Sequence, residues 1–186
     1  FTGRERFEPG NPQEGYSPSP QERQSWLQIS YMKEAYHTMG PKFTLGWMAE
    51  ALYSSKNFSE NYTATMMQAG EFAPTPHSKL MYNEAFRANQ YVAAGIKPIY
   101  VLNDMFQFRT EFYGFTPIFP IKKNALNKAY YGKAFSRFEY MGEVSVICHL
   151  PFGAISAYVN HYSSPRREWN VGMTIGWQLF NYRFVE

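Results

Sequence analysis

The chain has 186 residues and a net charge of +3, and its aromatic content of 19% exceeds its charged content of 18%. A soluble domain carries about 25% charged residues, so this composition is unusual for one. The mean hydropathy of −0.45 and the lack of any run of about 18 apolar residues argue against a helical membrane protein. The single cysteine, Cys148, excludes an internal disulfide, and the evenly spread charge gives no nucleic-acid footprint.

Residues 1–24 are rich in Pro, Gly, Glu and Gln, which predicts an extended linker or arm. The rest of the chain, residues 25–186, alternates apolar and polar residues in eight stretches. A period of two predicts β-strands, because successive side chains point to opposite faces of a sheet. The predicted strands are 25–37, 42–53, 62–69, 90–101, 104–113, 134–149, 153–162 and 169–182.

The alternation and the links between stretches together predict the fold class. Alternating runs of about 10 residues, separated by turn signals, are typical of a transmembrane β-barrel. Consecutive strands joined by short links are antiparallel neighbours, so we expect an all-β, antiparallel up-and-down meander of about eight strands. The links at 102–104 and 150–153 are short and those at 70–89 and 114–133 are long, so they should lie at opposite ends. The link at 38–41 does not fit this arrangement, because it is short but would lie at the same end as the long links.

The two faces of the predicted strands differ in chemistry. The phase places Phe106, Phe108, Phe138, Tyr140, Ile175 and Trp177 on a lipid-facing side, and Arg109, Glu111 and Glu139 on a lumen side. A soluble β-sandwich or lipocalin-like barrel also gives period two, with its apolar residues pointing inward. Trp and Tyr near the strand ends favour the membrane alternative, since both side chains suit a membrane–water interface.

Several short motifs occur in order along the C-terminal half. They are Pro74-Thr75-Pro76-His77-Ser78-Lys79, Phe86-Arg87-Ala88-Asn89-Gln90, Ile99-Tyr100, Phe108-Arg109-Thr110-Glu111-Phe112-Tyr113, Leu150-Pro151-Phe152-Gly153 and Asn160-His161-Tyr162-Ser163. In this order they resemble the C-terminal segment of Bacteroidetes patatin-like phospholipases. In that family a soluble hydrolase precedes an outer-membrane barrel of the assembly-factor and two-partner-secretion superfamily, of the bacterial surface antigen type.

The resemblance implies a sixteen-stranded barrel in the bacterial outer membrane, of which this chain would supply the last eight strands. The segment would anchor or translocate an upstream patatin-like lipid acyl hydrolase. Its expected partners are outer-membrane lipid, the rest of the barrel or a second copy of the chain, and the barrel-assembly machinery. The last of these is expected to recognise the final strand near Leu179-Phe180. No nucleic acid partner is expected.

The resemblance also implies a role for Arg87. In the superfamily a long loop folds back into the lumen and carries an arginine that pairs with acidic residues on the following strands. Arg87 occupies the matching place, although Ala88 and Asn89 replace the family's glycine and aromatic residue. We therefore predict that Arg87 pairs with Glu111 or Glu139, with Glu143 as a substitute. Arg109 would neutralise part of this acidic set.

Catalytic and metal-binding patterns are missing from the sequence. Patatin-type hydrolysis needs a Gly-x-Ser-x-Gly elbow and an aspartate base, whereas the only aspartate here is Asp104 in a predicted turn. His37, His77, His149 and His161 lack metal-ligand spacing. We expect neither enzyme activity in this chain nor a cofactor or metal. Two alternatives remain open: a protein-translocation or assembly pore without a hydrolase, and a soluble small β-barrel that binds an apolar ligand.

Overall fold

The computed structural model describes residues 2–5, 24–151, 153–164 and 169–177. Eight strands form one sheet in the order β1-β2-β3-β6-β7-β10-β11-β12, and two small two-stranded sheets lie in the links. The elements are β1 (Thr2–Glu5), β2 (Gln24–Thr38), β3 (Phe43–Ser54), α1 (Tyr62–Gln68), β4 (Gly70–Glu71), β5 (Arg87–Ala88), β6 (Gln90–Val101), β7 (Phe106–Pro117), β8 (Ile121–Lys123), β9 (Ala129–Tyr131), β10 (Glu139–Leu150), β11 (Gly153–Tyr162) and β12 (Trp169–Trp177), with 3₁₀ helices at Ser78–Leu80 and Glu84–Phe86.

The main sheet is an antiparallel meander, as the alternation predicts. Every neighbouring pair of its strands is antiparallel, and the registers run without a crossover from β2 to β12. An unbroken register keeps all residues of one phase on one side of the sheet. The all-β fold class is therefore confirmed.

The predicted strand at 62–69 is wrong, because this stretch forms the helix α1. The Asn61 side chain accepts a hydrogen bond of 2.8 Å from the Ala64 backbone N–H and caps the helix. Asparagine is among the preferred N-cap residues, and Ala, Met and Gln after it are good helix formers. Helical spacing then places Met66 and Ala69 on one buried face. The cap was the sequence signal that alternation alone overlooked.

With α1 in place of the predicted strand, the short links and the long links lie at opposite ends of the sheet. With 62–69 removed from the strand count, the links at 39–42 and 102–105 and the turn at Pro151 all lie at one end of the sheet, here called the short-link end. The segments 55–89 and 118–138 lie at the other, the long-link end. The link at 38–41 was predicted at the wrong end of the sheet only because one strand too many was counted after it.

Other boundaries also differ from the prediction. Thr2–Glu5 forms β1 and pairs with the start of β2, inside the stretch predicted as an arm. The predicted strand 134–149 begins only at Glu139, because Phe135 has φ 51° and its N–H donates to the Ile118 carbonyl in a turn. The hairpin β8–β9 lies in the predicted long link. Residues 178–182 lie outside the described residues.

The core lies between one face of the sheet and the segment 55–89. Phe72, Ala85 and Phe86 of this segment pack against sheet residues that include Leu52, Tyr91, Phe115 and Tyr162. The side of the sheet that carries these contacts is called the covered face below, and the opposite side the exposed face. A second cluster joins Met66 and Ala69 to Ile121 of β8.

Tyrosine rings lie over glycines of the neighbouring strand at three places on the covered face. Tyr36 faces Gly46, Tyr113 faces Gly95 and Tyr158 faces Gly172, and each pair is also in register. A Cβ on any of these glycines would overlap the tyrosine ring. The glycines therefore provide the space in which the rings lie against the sheet.

Candidate functional site

The exposed face of the sheet is apolar. Its side chains alternate with more buried ones along β3, β6, β7 and much of β10, as the sequence phase predicts. The large apolar side chains that are at least half exposed on this face include Ile29, Tyr31, Ile96, Phe112, Val144, Trp169, Val171, Met173 and Ile175. Among the described residues of β2 to β12 in the main sheet, Lys33 is the only Asp, Glu, Lys or Arg on this face.

Lys33 lies beside aromatic residues near the short-link end. Its ammonium is 5.7 Å from the centroid of the Trp47 ring, whose Nε1–H points at His37 Nε2 at 3.4 Å. A cation over an indole face is electrostatically favourable. The one charge on the apolar face is thus held against an aromatic neighbour.

Apart from Lys33, the charged residues of the described strands β2 to β12 of the main sheet lie on the covered face, and several of them pair with one another there. The Lys97 ammonium pairs with Glu34, Arg109 Nε lies 2.6 Å from Glu111 Oε1, and the Tyr113 hydroxyl also donates to Glu111. These groups lie on the short-link side of the core and are called the polar tier. Buried carboxylates need such partners, because an unpaired buried charge is strongly unfavourable.

Glu111 of the polar tier lies directly opposite a second glutamate, Glu143, on the adjacent strand. Glu111 and Glu143 are register partners, and both are buried. Asn160 Nδ2 is 3.5 Å from Glu143 Oε2, while Asn160 Oδ1 is buried with no hydrogen-bond partner. Like charges directly opposite each other repel. Arg109, on the same face, offsets part of this repulsion through Glu111.

The predicted pairing of Arg87 with Glu111, Glu139 or, as a substitute, Glu143 is wrong. Its guanidinium pairs with Glu71 and lies 4.8 Å from the Tyr82 ring centroid. Glu111 is paired with Arg109, and Arg137 Nε donates to Glu139 at 2.8 Å. Because β5 pairs with β4, Arg87 lies opposite Glu71 in register and its side chain stays within the 55–89 segment.

The other predicted site residues are divided between the two faces of the sheet, with the charged ones on one face. Glu111, Glu139 and Glu143 are buried on the covered face, and Arg109 joins them there. Phe106, Phe108 and Tyr140 are exposed on the opposite face, as is Ile175. Phe138, just before β10, is also exposed, and the side chain of Trp177 lies outside the described residues.

The segment 55–89 is fastened to the sheet by polar contacts that the sequence did not reveal. His77 Nδ1 lies 2.9 Å from the Tyr162 hydroxyl of β11, and Asn83 Nδ2 donates to the Ser164 carbonyl at 3.0 Å. The Tyr91 hydroxyl of the sheet donates to Glu50 and lies 3.2 Å from the Glu71 carbonyl of the segment. These partners are 20 or more residues apart in the chain, so no local pattern could have indicated them.

Burial changes the ionisation of groups in this segment. It lowers the pKa of His77 from 6.5, so the ring is neutral at pH 7. In α1, burial and the nearby Glu84 carboxylate raise the pKa of Tyr62 to about 12. The Tyr62 hydroxyl donates to Glu84 at 3.2 Å, a contact that needs the phenol protonated.

Comparisons with protein-family models, curated proteins and solved structures gave no match. No cluster of three or more His, Cys, Asp or Glu side chains suited to a metal ion occurs among the described residues. Nor does any helix in the described part of the chain have the length and apolar character to cross a membrane. Cys148 is a free, half-buried thiol in β10. Leu179-Phe180, the expected recognition site in the final strand, lie outside the described residues.

Proposed function

We propose that the chain is part of the wall of a bacterial outer-membrane β-barrel that anchors or translocates an upstream patatin-like lipid acyl hydrolase. The observation that carries the barrel proposal is the polarity of the sheet. Its exposed face is almost wholly apolar, whereas its ion pairs lie on the covered face beside the core. A soluble sandwich or lipocalin-like barrel needs the reverse arrangement. In hydrocarbon, an outward apolar band is favourable and the strands satisfy one another's backbone groups.

The covered face supports a lumen function in this proposal. The segment 55–89 fills the space over the long-link half of the face, while the polar tier occupies the half beyond it. A polar lumen with a folded-in segment leaves a restricted path for water or polypeptide. The segment would stabilise or gate that path.

A charge on the exposed face tests the membrane proposal. Val144 lies in the middle of β10 and is 52% exposed, so Val144→Lys creates no clash in a water-exposed sheet. At the midplane of a bilayer a lysine costs about 2–4 kcal/mol. We expect Val144→Lys to lower the free energy of unfolding by that amount for the chain folded into phosphatidylcholine vesicles, measured by urea titration.

Leu102→Lys is the matched control for Val144→Lys. Leu102 is 45% exposed but lies in a short link, where a lysine reaches water. Its effect on unfolding should be within about 0.5 kcal/mol. Equal unfolding free energies for both variants, together with solubility of the wild type without detergent, would overturn the membrane proposal.

The hydrolase half of the proposal rests on the resemblance of the C-terminal motifs. Its test is to read the coding sequence upstream of this chain for a Gly-x-Ser-x-Gly elbow and an aspartate base. An upstream region without them would leave the alternative of a translocation or assembly pore. That outcome would not affect the membrane test above.

A further inference from the structure

The segment 118–138 at the long-link end is basic and contains no acidic residue. It carries Lys122, Lys123, Lys128, Lys133 and Arg137. Arg137 pairs with Glu139, just beyond the segment. In the described part of the chain, none of the four lysines forms an ion pair, and all four are exposed. Four unneutralised positive charges are thus concentrated in one small element.

The tip of this segment has a fixed conformation. The Asn124 side chain accepts hydrogen bonds of 2.9 and 2.8 Å from the backbone N–H groups of Leu126 and Lys128. Asn127 adopts φ 59°, a left-handed conformation that asparagine tolerates. The turn therefore presents Leu126, which is 78% exposed, close to Lys123 and Lys128.

The hairpin is held against the segment 55–89 both at its base and at its tip. Ile121 packs with Met66 and Ala69 of that segment, and the Tyr62 N–H donates to the Asn127 carbonyl at 2.8 Å. The Tyr131 hydroxyl accepts a hydrogen bond of 3.0 Å from Asn89. One side of the hairpin is thus fixed to the protein, and the lysines extend from it without further ordering of the backbone.

Exposed apolar side chains accompany the lysines. Leu126 and Phe135 are exposed, and Tyr130 is nearly half exposed. An acidic protein or a nucleic acid would also attract the lysines, but neither is built to contact lysines and exposed aliphatic side chains in one continuous layer. A lipid headgroup layer provides both, since phosphates lie next to acyl chains and a lysine keeps its apolar stem in contact with them.

We propose that the hairpin 118–138 binds the phosphate headgroups of anionic lipid at the long-link end of the sheet. The proposal rests on the membrane function above, because the exposed face would place the hairpin beside the headgroup layer. The lysines supply the charge, and Leu126 and Phe135 supply the contact with the acyl-chain boundary. The hairpin would thereby set the depth and orientation of the sheet in the bilayer.

Electron spin resonance with spin-labelled lipids tests this proposal. The protein is reconstituted in phosphatidylcholine, and the motionally restricted fraction is measured for spin-labelled phosphatidylglycerol and for spin-labelled phosphatidylcholine. We expect a preference for phosphatidylglycerol of about fivefold for each lysine in contact. It should be lost in the variant Lys122→Gln/Lys123→Gln/Lys128→Gln/Lys133→Gln, and weakened at high salt.

The matched control is the variant in which the same four lysines are changed to arginine, which keeps the charge and should keep the preference. A wild type that restricts both lipids equally would overturn the hairpin proposal while leaving the membrane function intact. A wild type that restricts neither lipid would overturn the membrane function itself. Binding of a soluble acidic peptide or an RNA fragment without any lipid preference would assign the lysines to another partner and also overturn the proposal.

Discussion

Arg87 stabilises the 55–89 segment from within that segment. Its Nη1 donates to the Met67 carbonyl at 3.1 Å and lies 3.4 Å from the carbonyls of Met66 and Ala69, while Nη2 pairs with Glu71. A guanidinium can satisfy several acceptors at once because its donors diverge in a plane. Arg87 thus joins the end of α1 to the strand pair β4–β5.

We expect Arg87→Ala to destabilise the docked segment by about 2 kcal/mol, because charge-assisted hydrogen bonds at a nearly buried group are lost. Denaturant unfolding and the rate of proteolysis within residues 72–86 would report the change. Arg137→Ala is the matched control: the Arg137 side chain is 30% exposed against 12% for Arg87, and its ion pair with Glu139 should contribute about 1 kcal/mol or less. A larger effect from Arg137 than from Arg87 would contradict this assignment.

His77 makes the docking of the segment sensitive to pH. Its ring faces Tyr158 and Tyr162, and burial lowers its pKa in the folded state. Below pH 6.5 the unfolded state takes up a proton that the folded state does not, so stability falls as pH falls. The contribution of the neutral His77 ring to the free energy of unfolding is fully present above pH 6.5.

We expect the difference in thermal midpoint between the wild type and His77→Gln to shrink or reverse as the pH falls from 7.5 to 5.5. Measuring both proteins at each pH cancels the titration of all other groups. A difference that is independent of pH over this range would show that His77 does not titrate on undocking.

At the scale of elements, the glycine–tyrosine pairs couple neighbouring strands of the sheet. Tyr113 lies over Gly95 and its hydroxyl donates to Glu111, so one ring joins β6, β7 and the polar tier. The same ring contacts Phe72 of the segment 55–89, with centroids 6.0 Å apart. Any side chain at Gly95 would displace Tyr113 from all of these contacts.

We expect Gly95→Ala to destabilise the fold by about 1–3 kcal/mol, the usual cost of overpacking. Gly142→Ala is the matched control, since a Cβ at Gly142 would meet its nearest atoms at an ordinary 3.7 Å. Unfolding of both variants in the same detergent compares them directly. Equal stability would mean that the Tyr113 ring moves without loss.

At the scale of the whole molecule, the sheet has two edges. Within the described residues, β12 pairs only with β11, and β2 beyond Leu27 pairs only with β3. An unpaired strand edge is unfavourable in hydrocarbon. The membrane proposal therefore needs the remaining strands of a longer chain, a second copy, or closure of this sheet to satisfy both edges.

The sequence by itself determined the strands and the phase of their side chains. Alternation predicted six long strands of the meander to within a few residues. It also predicted that Glu111 and Phe108 lie on opposite faces of the sheet. It failed at 62–69 because Tyr, Ala and Met fit both periods there. Only the Asn61 cap, a local hydrogen bond, decided for a helix.

Only the tertiary structure decided which face is covered and how the charges pair. A period of two occurs both in a soluble sheet, whose apolar face is buried, and in a membrane sheet, whose apolar face is exposed. Which face is covered depends on where the 55–89 segment packs, and that packing is a long-range contact. The Arg87 partner likewise depends on the short pairing of β4 with β5, which places Glu71 nearer than any strand carboxylate. Side-chain phase is a local property of the backbone, whereas burial and ion pairing are set by residues distant in sequence.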